Sequence, residues 1–232
     1  MRVSVLLSML LFVSSAAVLN AAAQSLSTSV GSVLDDGTGL CQNNGTTHAA
    51  CTGHWSGSDG DEEASGGGTA NANYGDLTSD ARAVVNCSDA CILGAQTVSG
   101  SDFTDTANIQ NAPTSGSFFL VRISLGGSVS NASTSSPELQ LNINGDSAQC
   151  AILTDKGSCH ARLPLSGPTD SFDFSVGLVS SVTASLDGAG PGTDTEYADL
   201  KGTVVELAVV NGKGEVLKNV VITTASGHQY PQ

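Results

Sequence analysis

Six cysteines, at positions 41, 51, 87, 91, 150 and 159, are the residues of this 232-residue chain most able to do covalent chemistry. They fall into three close pairs. In an oxidising compartment an even cysteine count reads as disulfides, and although fifteen pairings are open in principle, proximity favours Cys41–Cys51, Cys87–Cys91 and Cys150–Cys159. Each would then be a local staple across a short loop, contributing about 2–3 kcal/mol by the loop-entropy argument. Cys150 and Cys159 flank Thr154-Asp155-Lys156-Gly157, a spacing that predicts a hairpin with a four-residue loop or a local irregularity. Zinc is the rival, since His48, His54 and His160 lie near cysteines. A zinc site needs two close ligand pairs, and only Cys87-Ser-Asp-Ala-Cys91 offers such a spacing, with no histidine beside it.

Hard oxygen ligands occur in two runs. One is Asp59, Asp61, Glu62 and Glu63 within the tract 58–68, which reads as an exposed, flexible acidic loop. The other is Asp187, Asp194, Glu196 and Asp199 around the glycines at 188–192. Calcium takes six to eight such oxygens on a turn, so these are weak calcium candidates, and no other cofactor is suggested. Neither run has EF-hand spacing, and a solvated acidic loop is the plainer reading.

Catalytic signatures are absent from the sequence: no Gly-x-Ser-x-Gly elbow, no His-Glu-x-x-His helix, no phosphate loop ending in Lys. His48, His54, His160 and His228 are the only imidazoles available as a base, and they read as surface residues. No catalytic residue is assigned and no enzyme is expected. Among the aromatics, Trp55, Tyr74, Tyr197 and Tyr230 are the candidates for stacking on a sugar. Trp55, beside His54 and near Asp59 and Asp61, is the ligand candidate, set against its plainer role as a core or loop-pinning indole.

Composition narrows the partners. With 22 acidic against 8 basic side chains and a formal charge of −14, the chain cannot neutralise a phosphate backbone or adhere to an anionic bilayer. Nucleic acid is excluded as a partner, and extracellular polysaccharide or other envelope proteins remain. Met1-Arg2, the apolar run to Leu19 and Ala21-Ala22-Ala23 have the form of a signal peptide cleaved after Ala23. No membrane insertion is expected after cleavage, and the product is secreted, whether extracellular, periplasmic or at the cell surface.

The elements that must position these residues are strands. A chain with 40% hydrophobic residues, 27 glycines and only six Phe, three Tyr and one Trp has no stretch with helical periodicity. Residues 24–68 read as a loop-rich segment with one or two strands. From residue 69 to 232 strand signals recur with turns between them. Phe119, Val121, Ile123 and Leu125 alternate with Phe118, Leu120, Arg122 and Ser124, a face that carries a charge and a hydroxyl, and Leu139, Leu141 and Ile143, and Phe172, Phe174, Val176 and Leu178, alternate with polar or small neighbours. Asn211-Gly212 between two apolar runs, 203–210 and 216–223, predicts a hairpin, and Asn144-Gly145 a second turn. The expected fold is all-β, an antiparallel β-sandwich of jelly-roll-like arrangement, with 24–232 one globular unit.

Three stretches carry a family resemblance: residues 69–83 with their small-residue alternation and Tyr74-Gly75 step, Ser101-Asp-Phe-Thr-Asp-Thr-Ala107, and Glu196 through Tyr230 ending in Ala-Ser-Gly-His-Gln-Tyr. Over roughly residues 69–230 the chain resembles a group of exported bacterial β-sandwich proteins, many of which carry a C-terminal PEP-CTERM sorting signal recognised by exosortase. After Tyr230 only Pro231-Gln232 follow, whereas anchored relatives continue into Pro-Glu-Pro, a hydrophobic helix and a basic cluster. The resemblance therefore implies the ectodomain without the anchor, with a non-enzymatic structural or interaction role in the extracellular space or cell envelope. It implies no site residue. The alternative is a carbohydrate-binding β-sandwich module.

Overall fold

The computed structural model describes residues 25–32, 39–59, 62–89, 93–113, 115–145, 149–187 and 190–232. The expected leader, residues 1–23, lies outside them, as do Cys91 and Asp61. Numbered in chain order, the described strands are β1 Ser25–Ser32, β2 Gly39–Gly45, β3 His48–Asp59, β4 Glu62–Asn73, β5 Asp76–Cys87, β6 Leu93–Gln110, β7 Ser117–Val129, β8 Ser135–Ile143, β9 Cys150–Ile152, β10 Gly157–Pro164, β11 Asp170–Leu186, β12 Gly192–Asn211 and β13 Val221–Thr224. They form two antiparallel sheets packed face to face, a β-sandwich. Sheet A runs β2-β1-β6-β11-β8-β9, with β13 also paired to β6; sheet B runs β10-β7-β12-β5-β4-β3. From β5 onward nearly every connection crosses from one sheet to the other, as a jelly-roll-like arrangement requires.

Alternation decides which way each strand faces. Phe119, Val121, Ile123, Leu139, Leu141, Ile143, Phe172, Phe174, Val176 and Leu178 are all buried between the sheets, as their spacing predicts. Their rings interlock, with Phe119 stacked on Phe172 at 4.8 Å and Phe103 edge-on to Phe174 at 6.2 Å.

The other part of the interior is built of small and hydroxylated side chains. Ala64, Ala81, Ala83, Ala95, Ala184 and Ala198 are buried there, with Ser79, Thr97, Ser99, Ser101 and Ser180. Side chains this short let the sheets approach closely enough to hydrogen-bond across the gap. Ser99 Oγ donates to the Thr69 carbonyl at 2.9 Å, Ser101 Oγ to Thr78 at 3.1 Å and Thr97 Oγ1 to Arg82 at 2.8 Å. Ser79 Oγ lies 2.7 Å from Ser180 Oγ and donates to the Ser99 carbonyl. These inter-sheet hydroxyls are tolerated because each has a partner; the buried Ser135 Oγ, by contrast, has none.

Three expectations are corrected. The segment 24–68 is mainly strand where described, contributing β1 to β3 and part of β4. It escapes hydropathy because its inward positions include Ala49, Ala64 and the buried Gly53 and Gly68 in place of Leu or Val. The described residues of the tract 58–68 belong to β3 and β4, which pair antiparallel with Asp59 opposite Glu62 and Trp55 opposite Gly66, and its glycines allow close packing. At Gly66 a Cβ would stand 2.4 Å from Thr97 Oγ1 and 2.7 Å from Trp55 Cε2.

The second correction concerns Cys150 and Cys159. They are bonded, with Cα atoms 6.1 Å apart, but they do not oppose each other in a hairpin. Cys150 opens β9, which pairs with β8 in sheet A, and Cys159 sits on β10, which pairs with β7 in sheet B. The Cys41–Cys51 disulfide does the same on the opposite flank, tying β2 of sheet A to β3 of sheet B across 5.9 Å. Both are therefore clamps between layers, each joining the terminal strands of the two sheets. Cys87 is also disulfide-bonded; the pairing expected for it involves Cys91, outside the described residues.

The third correction is at the Asn211 turn. It forms, with Gly214 N donating to Asn211 O at 2.9 Å, but only Val210↔Val216 bridges as a hairpin would. The chain then leaves sheet B, and β13 pairs with β6 in sheet A. The Asn144-Gly145 turn has positive φ at both residues, 58° and 74°, as an Asn-Gly turn of the primed type requires.

The C-terminal tail closes the sandwich at one end. The fully buried Asp105 of β6 gathers it: Oδ2 accepts from Ser226 Oγ at 2.5 Å and from Tyr230 Oη at 3.0 Å, and Oδ1 accepts from Ser226 N at 3.0 Å and Thr106 N at 2.8 Å. Tyr230 stacks on Phe103 and meets Phe174 edge-on. One residue on, the Pro231 carbonyl accepts from Leu207 N of β12 at 2.8 Å, so the tail touches both sheets.

Candidate functional site

The outer face of sheet B carries regular cross-strand rows of hydrogen-bonding side chains. Register places its side chains in cross-strand rows. His54, Gly67, Arg82 and Tyr197 form one row across β3, β4, β5 and β12; Thr52, Thr69, Asp80, Asp199 and Ser128 form the next, reaching β7; Ala50, Asn71, Thr78, Lys201 and Gly126 form a third. Neighbours are linked within this lattice. Asn71 Nδ2 donates to Thr78 Oγ1 at 3.0 Å, Thr203 Oγ1 to Asp76 Oδ1 at 3.0 Å, and Lys201 Nζ lies 3.4 Å from Asp76 Oδ1. Where β10 begins, opposite Leu125, Gly126 and Gly127 leave a shallow trough bordered by Ser124, Ser128, Asp199, Lys201 and Thr203. At Gly127 only glycine fits, since a Cβ would stand 2.2 Å from the Asp199 carbonyl.

Charge on this face is mixed. Asp80 and Asp199 are directly opposed across β5 and β12, an unfavourable like-charge pair. Partial burial, and next the Asp199 carboxylate, push the Asp80 carboxyl upward, while Arg82 pulls the other way. Arg82 and His54 supply cationic and imidazole groups in the adjacent row.

Of the aromatic candidates, Tyr197 is the one presented to solvent, with 44% of its surface exposed. Trp55 is half-buried on the inner side of β3, packed against the core, and its Nε1 donates to Thr97 Oγ1 at 3.1 Å. The indole thus joins sheet B to sheet A and is no open platform. Tyr74 is buried, with its hydroxyl donating to the Thr46 carbonyl at 2.9 Å, and Tyr230 is the tail anchor.

The imidazoles are dispersed. His48 Nδ1 lies 2.8 Å from Asn73 Oδ1, His160 stands opposite Arg122 on β10, and His228 lies against Tyr74 and Tyr230. Of the calcium candidates, Glu62 and Glu63 lie at the β3–β4 hairpin with Asp59, while Asp61 is outside the described residues. In the second run Asp194 accepts from Ser185 N at 2.8 Å and the buried Glu196 accepts from Ser130 Oγ. No group of three His, Cys, Asp or Glu side chains disposed to hold a metal occurs among the described residues.

Fold and surface thus define an edge-clamped, antiparallel β-sandwich whose sheet B has a largely polar outer face. No protein-family model matches the chain, and no curated protein does.

Sequence reasoning singled out Tyr197 and Asp199 but did not connect them with Arg82 or Asp80. The signal was present in the alternation of Asp80-Ala81-Arg82 and Tyr197-Ala198-Asp199, where buried alanines fix the polar neighbours outward. Only register could show that these two triplets lie side by side.

Proposed function

We propose that this chain is a secreted, non-enzymatic structural and interaction protein of the extracellular space or cell envelope. One observation carries the reading: both flanks of the sandwich are joined by disulfides that tie the terminal strands of one sheet to those of the other. Such bonds form and persist where the surroundings are oxidising. The leader-like N-terminus and the resemblance to exported PEP-CTERM-type proteins support the same compartment. Fractionating the source culture into medium, matrix, periplasm and cytosol, with disulfide-linked peptides mapped in each fraction, tests it. The expected result is oxidised protein outside the cytosol; a reduced, cytosolic protein overturns the proposal.

A second reading, a carbohydrate-binding module, is favoured by the exposure of Tyr197 on a face otherwise built of hydroxyls, amides and paired charges. Extracellular polysaccharide is then the partner, in place of other envelope proteins.

A further inference from the structure

The outer face of sheet B holds two adjacent rows with complementary chemistry, and they cross the strands in parallel. In the first, three planar groups follow one another: the phenol of Tyr197, the guanidinium of Arg82 and the imidazole of His54. Between the last two lies Gly67, where a Cβ would stand 2.4 Å from His54 Nδ1, so the ring leans over a position with no side chain. In the second row the groups are chiefly acceptors: Asp199, Asp80, Thr69 and Thr52, extended by Ser128. From β3 to β7 the strip spans about 19 Å, four strand spacings of ~4.8 Å.

From this juxtaposition we infer a binding strip for an uncharged glycan lying across the strands, stacked on Tyr197 and hydrogen-bonded to Arg82, Asp80 and Asp199. The inference rests on the carbohydrate reading given second above and assigns it a surface. A sugar hydroxyl both donates and accepts, so one face needs acceptors and cationic donors side by side, and the Asp199–Arg82–Asp80 cluster has that pattern. The opposed carboxylates, unfavourable in themselves, are relieved by hydroxyl protons. Charge selects against acidic polymers, since a uronate would meet Asp80 and Asp199 on a chain of net charge −14. Aromatic rings gain from stacking on apolar faces, and the C–H face of a pyranose is such a face.

Affinity electrophoresis of the full chain in gels containing laminarin, hydroxyethyl cellulose, dextran or polygalacturonate tests the assignment. The expected result is retardation by at least one neutral glucan in the presence of EGTA. Tyr197→Ala and Asp199→Ala should each weaken it on the order of tenfold, the scale of one ring stack or one charge-assisted hydrogen bond. Gln140→Ala, on the outer side of sheet A, should leave it unchanged, with near-ultraviolet circular dichroism confirming that each variant is folded. Retardation that survives Tyr197→Ala and Asp199→Ala overturns this strip while leaving the carbohydrate reading intact. Absence of retardation in every gel overturns both, and retardation by polygalacturonate alone, or only with added calcium, overturns the uncharged-glycan assignment.

Discussion

Asp105 and Tyr230 are 125 residues apart in the chain and share a hydrogen bond of 3.0 Å inside the core. Two of the three stretches on which the resemblance rests, the Ser-Asp-Phe-Thr-Asp-Thr strand and the Ala-Ser-Gly-His-Gln-Tyr tail, meet at this one carboxylate. Its four hydrogen bonds explain why an acidic residue can be buried at all: each lone pair faces a donor from the backbone, a hydroxyl or the phenol.

Removing that carboxylate orphans several buried donors at once. Asp105→Ala is expected to destabilise the protein by about 3–5 kcal/mol, and Tyr230→Phe, which deletes one partner, by about 1–2 kcal/mol. Urea unfolding of both single variants and the double variant should show strong coupling between them. Additive effects would mean that the tail is held by its ring contacts alone.

The two inter-sheet disulfides close short loops, of sequence separation 10 and 9, so each should contribute about 2–3 kcal/mol. Their placement adds a spatial expectation. In Cys41→Ala/Cys51→Ala, amide exchange should accelerate in β2 and β3 while β6 and β11 keep their protection. In Cys150→Ala/Cys159→Ala, the loss should fall on β9 and β10. Uniform acceleration throughout the sandwich would contradict clamping at the flanks.

Gly66→Ala forces a methyl group into a gap bounded by Thr97, the Arg82 carbonyl and Trp55. Overpacking of this kind costs about 1–3 kcal/mol. Because Trp55 is the only tryptophan, its emission reports directly on the site and should shift to the red as the indole is displaced. An unchanged spectrum and midpoint would show that the sheets are not in close contact there.

Three groups, Asp102, Tyr230 and Tyr74, give the stability a pH dependence whose sign follows from their burial. Burial pushes the Asp102 carboxyl up to about 6, above its unfolded value, so its contribution is full below about pH 4 and is lost as pH rises through 6. Asp102→Asn should flatten the urea midpoint between pH 4 and 7 relative to the unaltered chain; an unchanged slope would locate the dependence elsewhere. At the alkaline end, burial first and then the Asp105 carboxylate hold the Tyr230 phenol far above its ordinary range, and Tyr74 shifts in the same direction. Both contribute stability below about pH 10 that is lost above it. Phenolate absorbance from these two residues should therefore grow only together with the loss of near-ultraviolet circular dichroism.

Much of the fold was legible in strands whose inward side chains are large. Phe119, Val121, Ile123 and Leu125, or Phe172, Phe174, Val176 and Leu178, announce their buried face by hydropathy alone, and Asn144-Gly145 announces its turn by backbone geometry. The reading fails where the interior is small or hydroxylated. In Thr97-Val98-Ser99-Gly100-Ser101 the buried set is Thr97, Ser99 and Ser101, with Val98 on the other side, so hydropathy points the strand the wrong way. Nor can spacing tell whether the chain after Cys150 returns beside β9 or crosses to the opposite sheet. The surface strip was illegible for a related reason: Arg82 and Tyr197 are neighbours through register, a relation between strands far apart in sequence.

The paired clamps also bear on how the molecule would carry load. A sandwich without them yields at its flanks, because β3 and β10 are each held by ladder bonds to a single neighbour and can be peeled one hydrogen bond at a time. With a sulfur–sulfur link to the facing layer on each side, tension on either terminal strand passes across the core into the other sheet. Shear then has to slide both layers together. In a matrix or envelope under mechanical stress, such a body would transmit force as a rigid block until its disulfides were reduced to thiols.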